Sequence, residues 1–239
     1  MFIKCNECKR KRKTLDESHQ ICHICHKSKI LFKSSGNKII DDFIRFTQVN
    51  LAREEGKMEF VTYDQFKNIE FIAEGGYSKV YKATWVDGPI DWYNIKRENS
   101  NITHRTCVKN YKVILKNLNN SKNITLKELN ELKVFYQILS NINNSVYYIS
   151  TYLGITQDPI TKIIIIIMPY YSSGDLTHYL SNDFYIKDWK TKLSRLLGKM
   201  AKGLSTMHAT KLSIKIYIYS GNILVEINDY GNSNTYIAR

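Results

Sequence analysis

Apolar and polar residues alternate along several short stretches of the chain and follow a helical spacing along others. Apolar residues over Ile69–Ile72 and Val80–Trp85 flank a glycine-containing turn, which predicts a β-hairpin. A continuous apolar run predicts a buried strand over Ile163–Met168. We expect an edge strand ahead of it, over Val146–Leu153, and a turn at Asp158-Pro159 between the two.

Two further segments have the apolar spacing of amphipathic helices. Residues 37–48 carry Asp41 and Asp42 in the first turn, where acidic side chains favour a helix N-terminus. We expect the apolar stripe of this short helix to dock on the domain that follows. A longer helix is predicted over residues 189–208. The residues expected to face inward are Ile40, Phe43, Ile44 and Thr47 in the first helix, and Leu193, Leu196, Leu197, Met200, Leu204 and Met207 in the second.

Length and composition are those of a folded protein with a sizeable core. The chain has 239 residues, of which 43% are hydrophobic and 12% aromatic, enough for one medium domain and a small module. Its longest apolar stretch, residues 163–168, is far shorter than the roughly 20 residues that span a bilayer, and no signal segment opens the chain. We therefore expect a cytoplasmic protein without a membrane segment, with the nucleus as the alternative location.

Positive charge is concentrated in the first part of the chain. The net charge is +13, and residues 1–40 hold ten Lys and Arg against three acids. Five consecutive cations, Lys9-Arg10-Lys11-Arg12-Lys13, could contact nucleic-acid phosphates or serve as a nuclear address. No aromatic residues are interleaved with these cations, and the sequence predicts no base-reading helix after them. A solvated loop is therefore favoured over nucleic-acid binding.

Four cysteines form two pairs near the N-terminus. Cys5 and Cys8, and Cys22 and Cys25, are each separated by two residues, and thirteen residues lie between the pairs. Such pairs occupy tight turns that aim both sulfurs at one point, and two of them complete a tetrahedral shell for Zn²⁺. Disulfides are the alternative, and the lack of a secretory signal argues against them. The histidines that could replace a cysteine ligand are His19, His23 and His26.

An ordered series of motifs follows the cysteine pairs. Its hairpin turn contains Gly75 and Gly76, where the missing side chains let backbone amides approach a ligand. After an insertion of about 25 residues comes Val113-Ile114-Leu115-Lys116, and a helical stretch with Glu131 follows. The remaining motifs are Pro169-Tyr170-Tyr171-Ser172-Ser173-Gly174-Asp175-Leu176, the long helix, and Lys215-Ile216-Tyr217-Ile218-Tyr219-Ser220-Gly221-Asn222-Ile223-Leu224.

In this order the motifs resemble those of the tyrosine-kinase-like protein kinases, particularly an expanded fungal group with a Cys-rich segment ahead of the kinase domain. The resemblance implies an α+β fold with a protein-kinase-like small lobe, which is a twisted antiparallel sheet plus one helix. It also implies a helical large lobe, here incomplete, and a small zinc-ribbon-like module ahead of both. We expect a four-cysteine module over residues 1–30, a linker with the short helix over 31–62, and a truncated kinase-like domain over 63–239.

The same resemblance implies ATP with Mg²⁺ as ligands and assigns a role to each matching residue. The residues are Gly75 and Gly76 in the loop over the phosphates, Val80 above the adenine, Lys116 and Glu131 as the ion pair at the phosphates, Met168 as gatekeeper, Tyr171 at the hinge, Asp175 near the ribose, Asn222 as a metal ligand and Leu224 below the adenine.

The sequence departs from the family pattern at the position of the catalytic aspartate. Tyr217 stands there, and a phenol of pKa about 10 cannot take the substrate proton near neutral pH. Positioned acid–base groups contribute roughly 10²–10⁴ in rate, so phosphoryl transfer should be crippled. The nearest acids, Glu226 and Asp229, come after Asn222 and do not replace it. Ile114 replaces the usual alanine and adds three carbons where the adenine should lie.

The last residues also depart from the expected pattern. With a final strand over Asn234–Ala238, Arg239 falls at the position of the second metal-binding aspartate, the first residue of the D-F-G motif. A cation there should repel Mg²⁺. The resemblance implies further large-lobe helices after this point, so the apolar stripe of helix 189–208 should lack most of its cover. Either a protein partner covers the stripe, or the product is unstable.

These observations favour a degenerate, truncated kinase-like protein, a pseudokinase that serves as a binding or scaffold module with at most weak ATP binding. One alternative is an active ATP-dependent kinase that transfers phosphate to Ser, Thr or Tyr. Another is a zinc-ribbon protein that binds nucleic acid. A decayed gene product without a selected role is the third.

Overall fold

A computed structural model describes most of the chain, in segments that form two compact units. One unit draws on residues 1–133 and 152–168, and the other on residues 134–151 and 169–239. The segments described are residues 2–13, 20–50, 56–75, 78–92, 108–118, 136, 150–182, 189–209, 223–227 and 233–237. Within them both helices and strands occur, and the expected α+β class is confirmed.

The first unit begins with a small hairpin and two helices. Strand β1 (Phe2–Lys4) pairs antiparallel with β2 (Lys11–Lys13). Helix α1 (His23–Leu31) and helix α2 (Lys38–Asn50) follow. The predicted helix over 37–48 is confirmed as α2, which extends two residues further.

Side-chain hydrogen bonds hold the start of helix α2. The Asn37 side-chain oxygen accepts the Ile39 N–H at 2.9 Å, which is the usual bond of an N-cap residue. Asp41 accepts hydrogen bonds from the Ser34 hydroxyl at 2.5 Å and from the Ser35 backbone at 2.7 Å. Burial raises the pKa of Asp41, but these serine bonds outweigh it and hold the pKa below its usual value. The helix start is therefore fixed by its own sequence.

A six-stranded sheet makes up the rest of the first unit, in the order β3-β7-β8-β6-β5-β4. The predicted hairpin is confirmed as β4 and β5, and the predicted apolar strand as β8. The turn expected at Asp158-Pro159 joins β7 to β8. The strands are β3 (Glu59–Phe60), β4 (Phe66–Glu74), β5 (Ser78–Trp85), β6 (Tyr111–Leu118), β7 (Gly154–Gln157) and β8 (Ile164–Pro169).

Strand β3 was not foreseen, and it changes the edge of the sheet. It pairs parallel to β7, with Glu59 opposite Gly154. A Cβ at Gly154 would lie 2.4 Å from the Glu59 carbonyl oxygen, so only glycine allows this approach. The prediction of an edge strand over 146–153 is wrong for the residues described from 150 onward. The strand begins at Gly154 instead, and β3 lies outside it.

One face of the sheet carries a hydrophobic core. Trp85 is completely buried, and its ring centroid lies 6.0 Å from that of Phe66. Removing a buried aromatic side chain of this kind typically costs about 3–5 kcal/mol. The core residues are Val61, Phe66, Ala83, Trp85, Val113, Leu115, Ile165 and Ile167.

The second unit contains two helices and a two-stranded hairpin. These are α3 (Leu176–Asn182), α4 (Trp189–Ala209), β9 (Ile223–Ile227) and β10 (Ser233–Ile237). The predicted long helix is confirmed as α4, and the predicted final strand as β10, shifted by one residue. No helix in the described part of the chain is long and apolar enough to cross a membrane.

Helix α4 buries a narrower stripe than the sequence predicted. Leu196 is buried with Tyr179 and Val225, as expected for an inward residue. Leu197, which was also expected inward, is 54% exposed, so that prediction is wrong. Leu197 points about 100° further round the helix than Leu196 and lies outside the buried stripe.

Candidate functional site

The four cysteines of the two N-terminal pairs meet at one point. The Sγ atoms of Cys5, Cys8, Cys22 and Cys25 all lie within 4.8 Å of one another. The Sγ atoms of Cys8 and Cys22 are 3.9 Å apart. Two sulfurs bound about 2.3 Å from a tetrahedral zinc are about 3.8 Å apart, so this spacing suits a metal. The cluster is therefore close enough to hold one metal ion.

Local backbone structure aims the sulfurs inward. The turn after Cys5 is closed by the Lys9 N–H, which donates to the Cys5 carbonyl at 2.9 Å, with Lys9 in the left-handed region at φ 58°. Cys22 immediately precedes α1, and Cys25 lies in its first turn. The Cys22 N–H donates to the Cys5 sulfur at 3.2 Å and so joins the two halves of the site. The sulfurs also lie at the positive end of the α1 dipole, which favours anions.

Burial acts on the cysteines unequally. It raises the pKa of Cys5, but backbone N–H groups of Cys22, Cys8 and Glu7 outweigh it and lower that pKa to about 6. Burial raises the pKa of Cys8 above its ordinary value and that of Cys25 far above it. The described cluster contains neither His23 nor His26, while His19 lies outside the described residues. A tetrahedral ion would here find four sulfur ligands.

The basic run beside the cluster has a structural role that the sequence did not reveal. The Arg10 guanidinium donates to the Asn50 carbonyl at 3.0 Å, and that of Arg12 donates to the Val49 carbonyl at 3.1 Å. These carbonyls end α2, where helix termini need donors and cations oppose the dipole. The expectation of a loop is therefore wrong for Lys11–Lys13, which form β2. Lys11 is exposed, as expected for a solvated charge, whereas Arg10 and Arg12 bind the end of α2.

Glu7, between the first two cysteines, adds an ion pair to each helix. Its carboxylate accepts a hydrogen bond from Lys29 of α1 at 2.7 Å, and Arg45 of α2 bonds its other oxygen. The bond from Lys29 is the main reason why the pKa of Glu7 lies below its usual value. Because these side chains are partly exposed, the pairs contribute little stability and mainly fix orientation.

A second group of candidate residues lies on the sheet face opposite the Trp85 core. Register places Val80 of β5 directly across from Lys116 of β6, and Ala73 of β4 across from Val80. Residues directly opposite in antiparallel strands project to the same face. At the hairpin end the Gly75 N–H donates to the Ser78 carbonyl at 2.8 Å and closes the turn.

Ile114 and Met168 belong to the same face by alternation. Ile114 precedes Lys116 by two residues, and the residue between them, Leu115, enters the opposite core. Met168 follows Ile167, which also enters that core, and it is buried. Strands β6 and β8 are neighbours in the sheet. This face therefore brings Val80, Ile114 and Met168 together with Lys116. It also carries Lys82, directly opposite Ile114, and Lys112, which bonds Thr84.

The candidate residues of the second unit form a separate set. Asp175 accepts the His178 N–H at 2.8 Å and so begins α3. It also forms an isolated β-bridge with Leu224. The buried Tyr171 hydroxyl lies 3.2 Å from that of Ser150. The candidates Gly76, Glu131, Tyr217 and Asn222 lie outside the described residues.

Comparison with known families decides how to interpret this arrangement. The family model described as protein tyrosine and serine/threonine kinase matches residues 66–234, about seven tenths of the chain. This chain belongs to the protein kinase family. Curated proteins compared with it give no match.

The kinase match begins at the first residue of β4 and so leaves the cysteine cluster and both N-terminal helices ahead of it. The sheet described above fits the family's small lobe, and the described helices and hairpin of the second unit fit part of its large lobe. Strand β3 precedes the match but pairs with β7 inside it. The segment ahead of the kinase match thus contributes a strand to the kinase sheet.

Neighbouring residues of β2 provide a matched test of the arginine contacts. We expect Arg12→Ala to lower the free energy of unfolding by about 1 kcal/mol, because it removes a donor from the end of α2. Lys11→Ala should change it by less than about half as much, because that side chain is exposed. Urea unfolding of both variants measures the difference. Equal effects would show that the Val49 contact does not stabilise the fold.

Proposed function

We propose that this member of the protein kinase family is a pseudokinase: a binding module without phosphoryl transfer, whose small lobe is anchored by a structural zinc ion. The proposal rests on Tyr217, which the order of motifs assigns to the position of the catalytic aspartate and which lies within residues 66–234, the range of the family match. A protonated phenol does not accept the substrate proton near neutral pH. Loss of that base removes the group on which the family's reaction depends.

The zinc proposal is supported by the chemistry of the donor set. Four thiolates in tetrahedral spacing are the usual ligands of structural zinc, and the cluster offers no position for a substrate or water. Zinc with four thiolates carries two negative charges. The positively charged Arg10 and Arg12 lie on the hairpin that holds the first cysteine pair, so their charge would favour the site. The ion would lock the β1–β2 turn to the start of α1. Its role would be structural rather than catalytic.

Weak nucleotide binding is proposed from the sheet face that carries Lys116. Val80, Ile114 and Met168 would contact a nucleobase, and Lys116 would attract phosphate oxygens. ATP would supply the phosphates, and Mg²⁺ would neutralise part of their negative charge. Ile114 would fill volume that the family leaves open, so affinity should be low. Such a site suits a protein that senses or presents a nucleotide rather than consuming it.

Family membership favours one alternative, an active kinase that uses other residues for the base. A phosphotransfer assay with radiolabelled ATP and generic protein substrates distinguishes the two. We expect the wild-type protein to transfer no more phosphate than Lys116→Met, which removes the lysine that matches the family's phosphate-binding residue. Wild-type turnover more than about tenfold above that variant would instead establish an active enzyme, since loss of a catalytic group typically costs at least that factor.

Zinc should be present at about one ion per chain in the purified protein, because one tetrahedral site takes one ion. We expect Cys8→Ser to lose the ion, because the variant removes one of the four ligands. Cys8 is the least buried of the four cysteines, so its replacement should have little effect on packing. Cys107→Ser, at the remaining cysteine, is the matched control and should keep the ion. Metal analysis by mass spectrometry is the measurement. Zinc that persists in a Cys5→Ser/Cys22→Ser double variant would place the ion elsewhere.

Nucleotide affinity should respond to the size of the side chain at position 114. We expect Ile114→Ala to increase thermal protection by ATP, because a ligand stabilises by RT ln(1 + [L]/Kd) and the smaller side chain leaves room for the base. Glycine at Ala73 or Ser78 should have a smaller effect, since the loop backbone can already donate hydrogen bonds. Thermal melts across ATP concentrations, with and without Mg²⁺, make the comparison. Protection that rises only in the glycine variants would contradict the placement of Ile114.

A further inference from the structure

The last turn of α2 contacts the cysteine cluster on one side and the kinase sheet on the other. Val49 packs against the cysteines, and the carbonyls of Val49 and Asn50 receive the two arginines of the cysteine hairpin. Thr47 and Gln48, in the same turn, bond Met58, which directly precedes β3. The last turn of α2 thus connects the cysteine cluster to the residue that precedes β3.

Gln48 makes the direct connection. Its side chain is completely buried. The amide oxygen accepts a hydrogen bond from the Ser28 hydroxyl of α1 at 2.6 Å, and the amide nitrogen donates to the Met58 carbonyl at 2.8 Å. A buried amide that loses either partner pays a desolvation cost, so the two bonds depend on each other.

On the side of the sheet, the connection reaches the β3–β7 edge. The Val61 N–H donates to the Ile155 carbonyl at 3.0 Å, and the Glu59 N–H donates to the Leu153 carbonyl at 3.2 Å. Strand β3 has only two residues, too few to hold its place by pairing alone. Its position therefore depends on the contacts at Met58 and on Glu59, whose side chain accepts the Ile90 N–H at 2.9 Å.

On the side of the metal site, the connection runs through α1. Ser28 lies three residues after Cys25, on the same face of a nine-residue helix. A helix of that length is marginal by itself in water, so its order depends on its anchors. The metal would supply the anchor at its start. At its end Leu31 packs against Ile90 and Trp92, just beyond β5.

We propose that Gln48 couples metal occupancy of the four-cysteine site to the stability of the β3–β7 edge of the kinase sheet. The inference rests on the proposed zinc site and goes beyond it, because the ion then controls a part of the kinase fold that it does not touch. Loss of the ion frees the start of α1, and the Ser28 hydrogen bond to Gln48 then weakens. Because the two bonds of Gln48 depend on each other, its hydrogen bond to the Met58 carbonyl weakens as well.

Amide hydrogen exchange on the full chain tests the coupling. The amides of Glu59 and Val61 report the β3–β7 edge, and the Val225 amide, which donates to the Gly174 carbonyl at 2.9 Å, reports the second unit. Stripping the zinc-loaded protein with EDTA should speed exchange of the first two amides by about tenfold or more, because a local opening becomes easier. Val225 should change by less than about twofold.

Two variants separate the coupling from simple loss of stability. Gln48→Leu should keep one zinc per chain, show fast exchange at Glu59 and Val61 already with zinc, and respond to EDTA by less than about twofold, since both bonds are gone. Ser28→Ala removes only the hydrogen bond between α1 and Gln48. It should also make exchange at Glu59 and Val61 respond less to EDTA. Alanine favours a helix more than serine does, so this variant should fold even where Gln48→Leu does not.

Ser181→Ala is the matched control. It removes a serine hydrogen bond of similar length, 2.9 Å to the Thr177 carbonyl, in the second unit and should keep the full EDTA response. Stoichiometric zinc with unchanged exchange at Glu59 and Val61 after EDTA would overturn the coupling alone. Protein that holds no zinc would overturn the proposed site and the coupling together. Equal acceleration at all three amides would indicate general unfolding and also contradict the coupling.

Discussion

Mutual repulsion among four clustered cysteine thiolates, three of them on buried residues, is the constraint on which the rest of the N-terminal structure depends. Cys5, Cys22 and Cys25 are almost fully buried, and all four sulfurs share a volume less than 5 Å across. Burial disfavours each thiolate, and neighbouring thiolates disfavour one another. A divalent cation removes both penalties at once. The hairpin that holds Cys5 and Cys8 and the helix that holds Cys22 and Cys25 are then joined through the ion.

That joint matters because the kinase sheet is built partly from residues that precede the kinase match. Strand β3 lies before residue 66, yet it pairs with β7 and covers what would otherwise be an open edge. Open edges invite pairing with other chains. The short strand is held by α2, and α2 is held by the cysteine module through Arg10, Arg12 and Ser28. The N-terminal segment thus acts as part of the small lobe rather than as a separate appendage.

Local sequence patterns predicted the elements well and the contacts between them poorly. Apolar segments on either side of a glycine turn predicted β4 and β5, and a continuous apolar run predicted β8. Helical spacing predicted α2 and α4, and the two cysteine pairs predicted the cluster, because each signal is carried by neighbouring residues. Strand β3 has two residues and no pattern, and it exists because Gly154 lets the Glu59 backbone approach. The roles of Arg10 and Gln48 depend on carbonyls and hydroxyls about 20 to 40 positions away, which spacing cannot reveal.

Whether the described cysteine cluster is a zinc site with four sulfur ligands is the central claim. Zinc K-edge X-ray absorption on the purified full chain tests it most directly, because it counts the atoms around the ion. We expect four sulfurs at about 2.3 Å from the ion, with no nitrogen or oxygen bound to it. A shell that contains nitrogen at about 2.0 Å would contradict it, since a histidine such as His23 or His26 would then replace a cysteine.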